Sequence, residues 1–360
     1  MEKERLMASD ENHLNRRDVL KGFGIGALGV ALGGKAFGPA IGHAAVSSPL
    51  RRGGQLYQKV TKPARVSLIK GNDRRDIVYQ SLKKIEDEVL GSIGGKKILI
   101  KPNMVQVNTP LCATHVDAIR AILDFLQPHY KSEIIIGEST AARTSTFNGF
   151  KNYGYLALEK EYNVKLVDLN QTAYQYRYVF GRGNRPLPIR IISTFLDPSV
   201  YVISAARMKT HDRVLTTLSL KNVLLGSPLN DYKKNDKWQV HTGQRAVNTL
   251  CHYNMFHLAQ EVYPDLGVID GFVGMEGNGP VGGTPFDSRV ALASRDALAA
   301  DIIATKIMGF DPKRILYLTS LTEAGLGQGE LEKINVLGTP MNQCQYHFKP
   351  EKRMAELYNL

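Results

Sequence analysis

The sequence predicts an α/β protein in which a mostly parallel sheet carries helices on both faces, folded as a single large domain with insertions. Two observations predict it. Short apolar segments alternate with amphipathic helical segments from residue 65 to residue 308, and strands covered on both faces by crossover helices read as apolar runs of this kind. The chain has 360 residues, 43% of them hydrophobic, which is enough for one large core.

In order, a strand is expected over 65–70, then a helix over 73–90 with Ile77, Val78, Leu82, Ile85 and Val89 along one side. A strand at 97–101 and a helix at 114–126 follow, then a strand at 133–137, a helix at 155–162 and a strand at 164–168. Glycine, proline and arginine mark a hairpin-like interruption over 174–193. The alternation resumes with a strand at 200–206, a helix at 213–225 and a polar loop holding Lys233, Lys234 and Lys237. A helix over 244–262, a strand over 266–270, a glycine-rich loop, a strand over 289–293 and a helix over 297–308 nearly close the domain. The domain so defined spans 65–340, with a linker before it (45–64) and a tail after it (341–360).

Residues 1–44 are set apart from the fold. Arg16-Arg17 precede Asp18-Val19-Leu20-Lys21, an apolar run from Gly22 to Gly34 follows, and Gly42-His43-Ala44 is a small-x-small site. That order is an export signal, of the twin-arginine (Tat) type, so the expected location is periplasmic or otherwise exported, with the Tat translocase as a transient partner. The run of 13 residues is shorter than the ~20 a membrane helix needs, and no other segment is apolar enough, so no stable membrane span is expected.

Residues 1–44 hold six Lys/Arg and five Asp/Glu, so their removal takes the net charge from +12 to +11. The basic residues are scattered, with no aromatic-interleaved stripe, which argues against nucleic acid and for a small anionic partner. Cys112, Cys251 and Cys344 are too far apart for a zinc knuckle or a four-cysteine cluster, so no iron–sulfur centre is expected; in an oxidising compartment one pair could bridge.

In parallel α/β sheets, ligands bind beyond the carboxyl ends of the strands. Five expected strands deliver polar side chains there: Lys101 and Asn103; Glu138-Ser139-Thr140; Asp168-Leu169-Asn170; Lys209-Thr210-His211; and Asp270, followed by Glu276-Gly277-Asn278-Gly279-Pro280. Further on, Thr217 and Lys221 fall one helical turn apart on the segment that also carries Asn222.

Lys101-Pro102-Asn103, Lys209-Thr210-His211, Leu220-Lys221-Asn222, His241 and the run from Ile269 to Pro280 resemble the family called domain of unknown function 362, over about 66–337. Members of that family occur alone or fused to a ferredoxin-type module. The resemblance implies a stand-alone member here, since the cluster cysteines are missing, and a redox partner as one association.

The glycine-rich loop matches neither GxxxxGK[ST] nor GxGxxG, and Pro280 removes a donor, so it reads as a turn presenting Glu276 and Asn278. Asp270 and Glu276, with Glu138 or Asp168, could offer oxygens to a divalent metal such as Mg²⁺ or Ca²⁺, and His211 and His241 would suit Zn²⁺ or Fe²⁺. His252 and His257 read as packing residues within a helix. No GxSxG or SxxK element is present, so acid–base chemistry is the expected mode. His211, Lys209 and Glu276 are the expected catalytic groups, and Lys101, Asn103, Lys221, Asn222, His241 and Asn278 the expected substrate-binding groups. The lysines would hold a carboxylate or phosphate and stabilise an enolate-like charge. A lyase, isomerase or hydrolase fits this set better than a dehydrogenase; the competing expectation is a non-catalytic accessory protein of a redox or metal system.

Overall fold

The computed structural model describes residues 62–231, 233–241 and 249–360. The export segment, nearly all of the linker and residues 244–248 of the expected helix lie outside them.

The strands are β1 (Ala64–Lys70), β2 (Lys97–Pro102), β3 (Ile134–Glu138), β4 (Val164–Asp168), β5 (Tyr174–Phe180), β6 (Pro186–Ile192), β7 (Val200–His211), β8 (Leu215–Thr217), β9 (Leu266–Glu276), β10 (Thr284–Phe286), β11 (Val290–Ser294) and β12 (Ile334–Gly338). The helices are α1 (Arg74–Lys83), α2 (Glu86–Ile93), α3 (Val116–Leu126), α4 (Thr146–Asn152), α5 (Leu158–Glu161), α6 (Ser219–Leu224), α7 (Asp236–Val240), α8 (Thr249–Ala259), α9 (Ala297–Ile307), α10 (Leu316–Glu323) and α11 (Lys352–Tyr358).

One sheet has the order β12-β1-β11-β9-β7-β2-β3-β4, with β8 and β10 as short arms on β7 and β9; β5 and β6 form a separate hairpin. Along that path β11 alone runs antiparallel, so the sheet is mostly parallel as expected. Alternate residues of each strand feed opposite cores. Ile98 and Ile100 of β2 pack with Ile77, Val78, Leu82, Ile119 and Ile122 of α1 and α3, whereas Leu99 joins Leu220, Val223, Leu258 and Ile303 of α6, α8 and α9. Helices therefore cover both faces.

The expected helix over 73–90 is two helices, because Ile85 leaves helical geometry (φ −125°) and turns fully into the core. The expected helix over 155–162 is a 3₁₀ turn followed by the single turn α5. The strand expected to stop at Ala206 runs on to His211, since Lys209–His211 pair in register with Leu215–Thr217; the expected helix over 213–225 is thus a hairpin arm followed by short α6. Similarly, β9 continues past Asp270 to Glu276 by pairing with β10. Residues 334–338 add an edge strand on β1, and the expected tail contains α11.

The connection leaving β2 runs through α3 to β3 on one side, and the connection leaving β7 runs through α6 to β9 on the other. A crevice opens where neighbouring strands send their chains in opposite directions, so the carboxyl ends of β2 and β7 are the topological place for a ligand.

Candidate functional site

A cavity of about 260 Å³ occupies that crevice, and Lys101, Asn103, His211, Lys221, Asn222 and His241 all line it. Six of the side chains expected from the sequence are therefore brought together. Glu138, Ser139, Arg213, Lys237, Trp238 and Pro280 contribute to the same walls.

The framework is knitted by Asn222. Its Oδ1 accepts from Lys101 Nζ (3.2 Å) and Asn103 Nδ2 (3.1 Å), and its Nδ2 donates to Lys101 O (3.0 Å) and Ser204 Oγ (3.1 Å). One amide thus ties β2, β7 and α6 together. Lys101, 1% exposed, also donates to Glu138 Oε2 (2.8 Å) and Pro102 O (3.0 Å), so its three donors all have protein acceptors. Lys209, expected as a catalytic group, is fully buried and does not line the cavity; it donates to Asn103 Oδ1 and Cys112 O, and burial pulls its ammonium down to about 7. The helix α6 is held by Asp301 of α9, which accepts from Ser219 N (2.8 Å), Ser219 Oγ (2.5 Å) and Leu220 N (3.0 Å). With Leu220, Val223 and Leu224 in the core, α6 has Lys221 and Asn222 left for the crevice.

Lys237 is a wall residue that the sequence did not single out from Lys233 and Lys234. It is buried and donates to Ser139 Oγ (2.9 Å), Gly226 O (2.5 Å) and Pro228 O (2.6 Å); burial lowers it to about 7, while these acceptors favour the ammonium. Lys221 differs from the other three. It is 7% exposed and lines the cavity, and its side chain makes no hydrogen bond or ion pair among the described residues. Burial lowers it to about 8.

The two histidines have complementary tautomers. His211 Nδ1 accepts from Arg213 N at 3.0 Å, which leaves the ring proton on Nε2. The longer contact of Nδ1 with Asp212 Oδ1 (3.3 Å) would need a proton that the Arg213 amide displaces. His241 Nδ1 lies 2.6 Å from Lys237 O, an acceptor only, so Nδ1 carries the proton and Nε2 the lone pair. The rings stack with centroids 6.1 Å apart. Burial first, then the charge of Lys221, holds both neutral: His211 well below its ordinary value and His241 down to about 3. One Nε2–H donor and one Nε2 acceptor result, and neither atom has a hydrogen-bond partner among the described residues.

Of the carboxylates at this end of the sheet, Glu138 and Asp212 line the cavity, and Asp270, Glu276 and Asp168 do not. Asp270 pairs with Arg74 (3.2 Å) and the Phe272 amide (3.0 Å), leaving Oδ2 buried without a hydrogen bond. Glu276 accepts the backbone N–H of Lys349 (2.9 Å), so it anchors the carboxy-terminal segment, and Asn278 is exposed. None of these three lines the cavity, although Pro280 of the same loop does. Asp168 is held by Thr146 (2.8 Å). Among the described residues no three His, Cys, Asp or Glu side chains gather into a metal-holding group. The three cysteines are buried and unbridged, and His252 packs against Tyr317.

Fold and site define an α/β protein with a crevice at the carboxyl edge of a mostly parallel sheet, walled by buried lysines and a pair of neutral histidines. The chain belongs to the family described as domain of unknown function 362 (DUF362), whose profile matches residues 98–306. It is similar to thylakoid-associated protein sll1697 of Synechocystis sp., with 26% identity over 260 residues covering 70% of this chain and 77% of that one. A crystal structure of a Thermotoga maritima protein aligns with 57% of this chain and 52% of its own, at 11% identity and a TM-score of 0.36. No helix among the described residues is long and apolar enough to cross a membrane.

Proposed function

We propose that the cavity binds a small anion, a carboxylate or phosphate, and that the protein is an enzyme acting on it by acid–base chemistry. The observation that supports this most is Lys221: a buried cation facing a cavity without a partner among the described residues lacks the compensation that buried charges require, and a bound anion supplies it. Arg213 adds a second cation whose acidic partner, Asp212, is as far as 3.7 Å away. His241 Nε2 would accept a proton from the bound molecule, and the His211 Nε2–H would hydrogen-bond the oxygen on which charge develops. Lys209 and Asn222 would hold this constellation in place.

The test is a thermal-shift series with inorganic phosphate and small mono- and dicarboxylates. Binding should raise the melting temperature of the wild type and leave Lys221→Met unmoved; equal shifts in both proteins would refute the anion site. The alternative of a non-catalytic accessory protein has one supporting observation, the thylakoid association in the name of the relative. We also propose export by the Tat route, supported by Arg16-Arg17 and the short apolar run behind them. Replacing both arginines by lysine should retain the precursor in the cytoplasm, and wild-type levels of exported protein would exclude the route.

A further inference from the structure

We propose that Lys221 is a nucleophile that forms an imine with a small anion bearing an aldehyde or ketone, assisted by His241 and His211. The inference rests on the anion-site reading and names the substrate class within it.

Among the described residues four lysines are buried around the crevice, and three are disqualified by their bonding. Lys101 and Lys237 each donate to three protein acceptors, and Lys209, which does not line the cavity, to two. A nitrogen whose N–H groups are committed to fixed acceptors cannot turn a lone pair towards the cavity without breaking those bonds, and this holds for Lys209 and Lys237 although burial lowers both to about 7. Lys221 has no such acceptors among the described residues and faces the cavity space. Burial lowers Lys209 and Lys237 further than Lys221, so the choice rests on bonding; at its value of about 8, about half of Lys221 is free amine at pH 8, roughly a hundredfold more than an ordinary exposed lysine.

The neighbouring groups supply what imine formation needs. The Lys221 lone pair attacks the carbonyl carbon while the carbonyl oxygen takes a hydrogen bond from His211 Nε2–H. His241 Nε2 takes a proton from the attacking nitrogen and delivers it to the carbonyl oxygen, which becomes a hydroxyl, and the neutral carbinolamine forms. The second nitrogen proton leaves with that hydroxyl as water, His241 passing the proton from nitrogen to oxygen, and a C=N bond replaces C=O. Arg213, at the same wall, remains for the anionic end of the molecule. No oxidant or metal enters the balance.

The experiment incubates the full-length protein with glyoxylate or pyruvate and sodium cyanoborohydride, then reads intact mass and maps peptides. One reduced adduct per chain, on Lys221, is expected, forming about a hundredfold faster than on exposed lysines. Lys221→Arg should abolish it, and His241→Gln should slow it without removing the site. Inorganic phosphate should protect the wild type, which gives a readout independent of whether the variants fold. Wild type that shifts thermally with phosphate but gains adducts only on scattered surface lysines overturns this inference alone. Wild type that neither shifts nor reacts overturns the anion site beneath it as well.

Discussion

The Asn222 side chain accepts two hydrogen bonds and donates two, whereas the side chain of its neighbour Lys221 makes none among the described residues. The adjacent substitutions should therefore act in opposite ways. Asn222→Ala strands the buried Lys101 carbonyl and Asn103 amide and should lower stability in urea by about 3 kcal/mol. Lys221→Met removes an uncompensated buried charge and should leave stability unchanged or raised by about 1 kcal/mol, while ending anion binding. The pH dependence follows from the same residue. Folded Lys221 titrates near 8, below its unfolded value, so between the two the unfolded chain binds more protons and stability should rise with pH; anion affinity should fall as pH passes 8. Subtracting Lys221→Met from wild type isolates this lysine from His211, His241, Asp212, Arg213, Lys101 and Cys251, and parallel curves for the two proteins would contradict it. Lys101, His211, Lys221 and Asn222 were legible in the sequence as polar groups after apolar strands. Lys237 was not, because its burial depends on carbonyls of Gly226 and Pro228 that no local pattern reveals.

At the level of elements, the apolar runs located β1 to β4 and the starts of β7 and β9, since burial on both faces leaves a local signature. The extensions of β7 and β9 carry Lys209–His211 and Glu276, which look like loop residues; their pairing with β8 and β10 is a tertiary fact. Likewise, the Asp301 cap of α6 comes from a helix some eighty residues away. Glycine has a positional role just after α6. A Cβ at Gly226 would collide with Lys101 Cε and with the carbonyl of Asn222, and the second of these is backbone that cannot swing aside. Gly226→Ala should push Lys101 off Glu138, cost about 2 kcal/mol in urea unfolding, and weaken phosphate binding. Unchanged affinity and stability would show that the crevice is looser than its geometry implies.

Across the whole molecule, the order β9-β7-β2-β3-β4 places the five expected strand ends side by side, which is why a list of polar strand ends in the sequence could anticipate the crevice. It could not anticipate that the last segment of the chain folds back. Lys349 N donates to the Glu276 carboxylate and Lys349 O accepts from Gly277 N, Phe348 stacks on Phe286 with centroids 4.2 Å apart, and Tyr346 donates to Ser288 O (2.6 Å). Stopping the chain after residue 344 should lower the melting temperature and speed amide exchange at Met275–Gly277, and full protection there would show the segment to be dispensable. This clasp also imposes a sequence of events on synthesis. The segments bearing Lys101, His211 and Lys221 leave the ribosome long before Lys349, yet Pro280, part of the cavity wall, sits on the loop that Lys349 fastens. A nascent chain therefore carries an unfinished cavity wall until Lys349 has been made and has folded back.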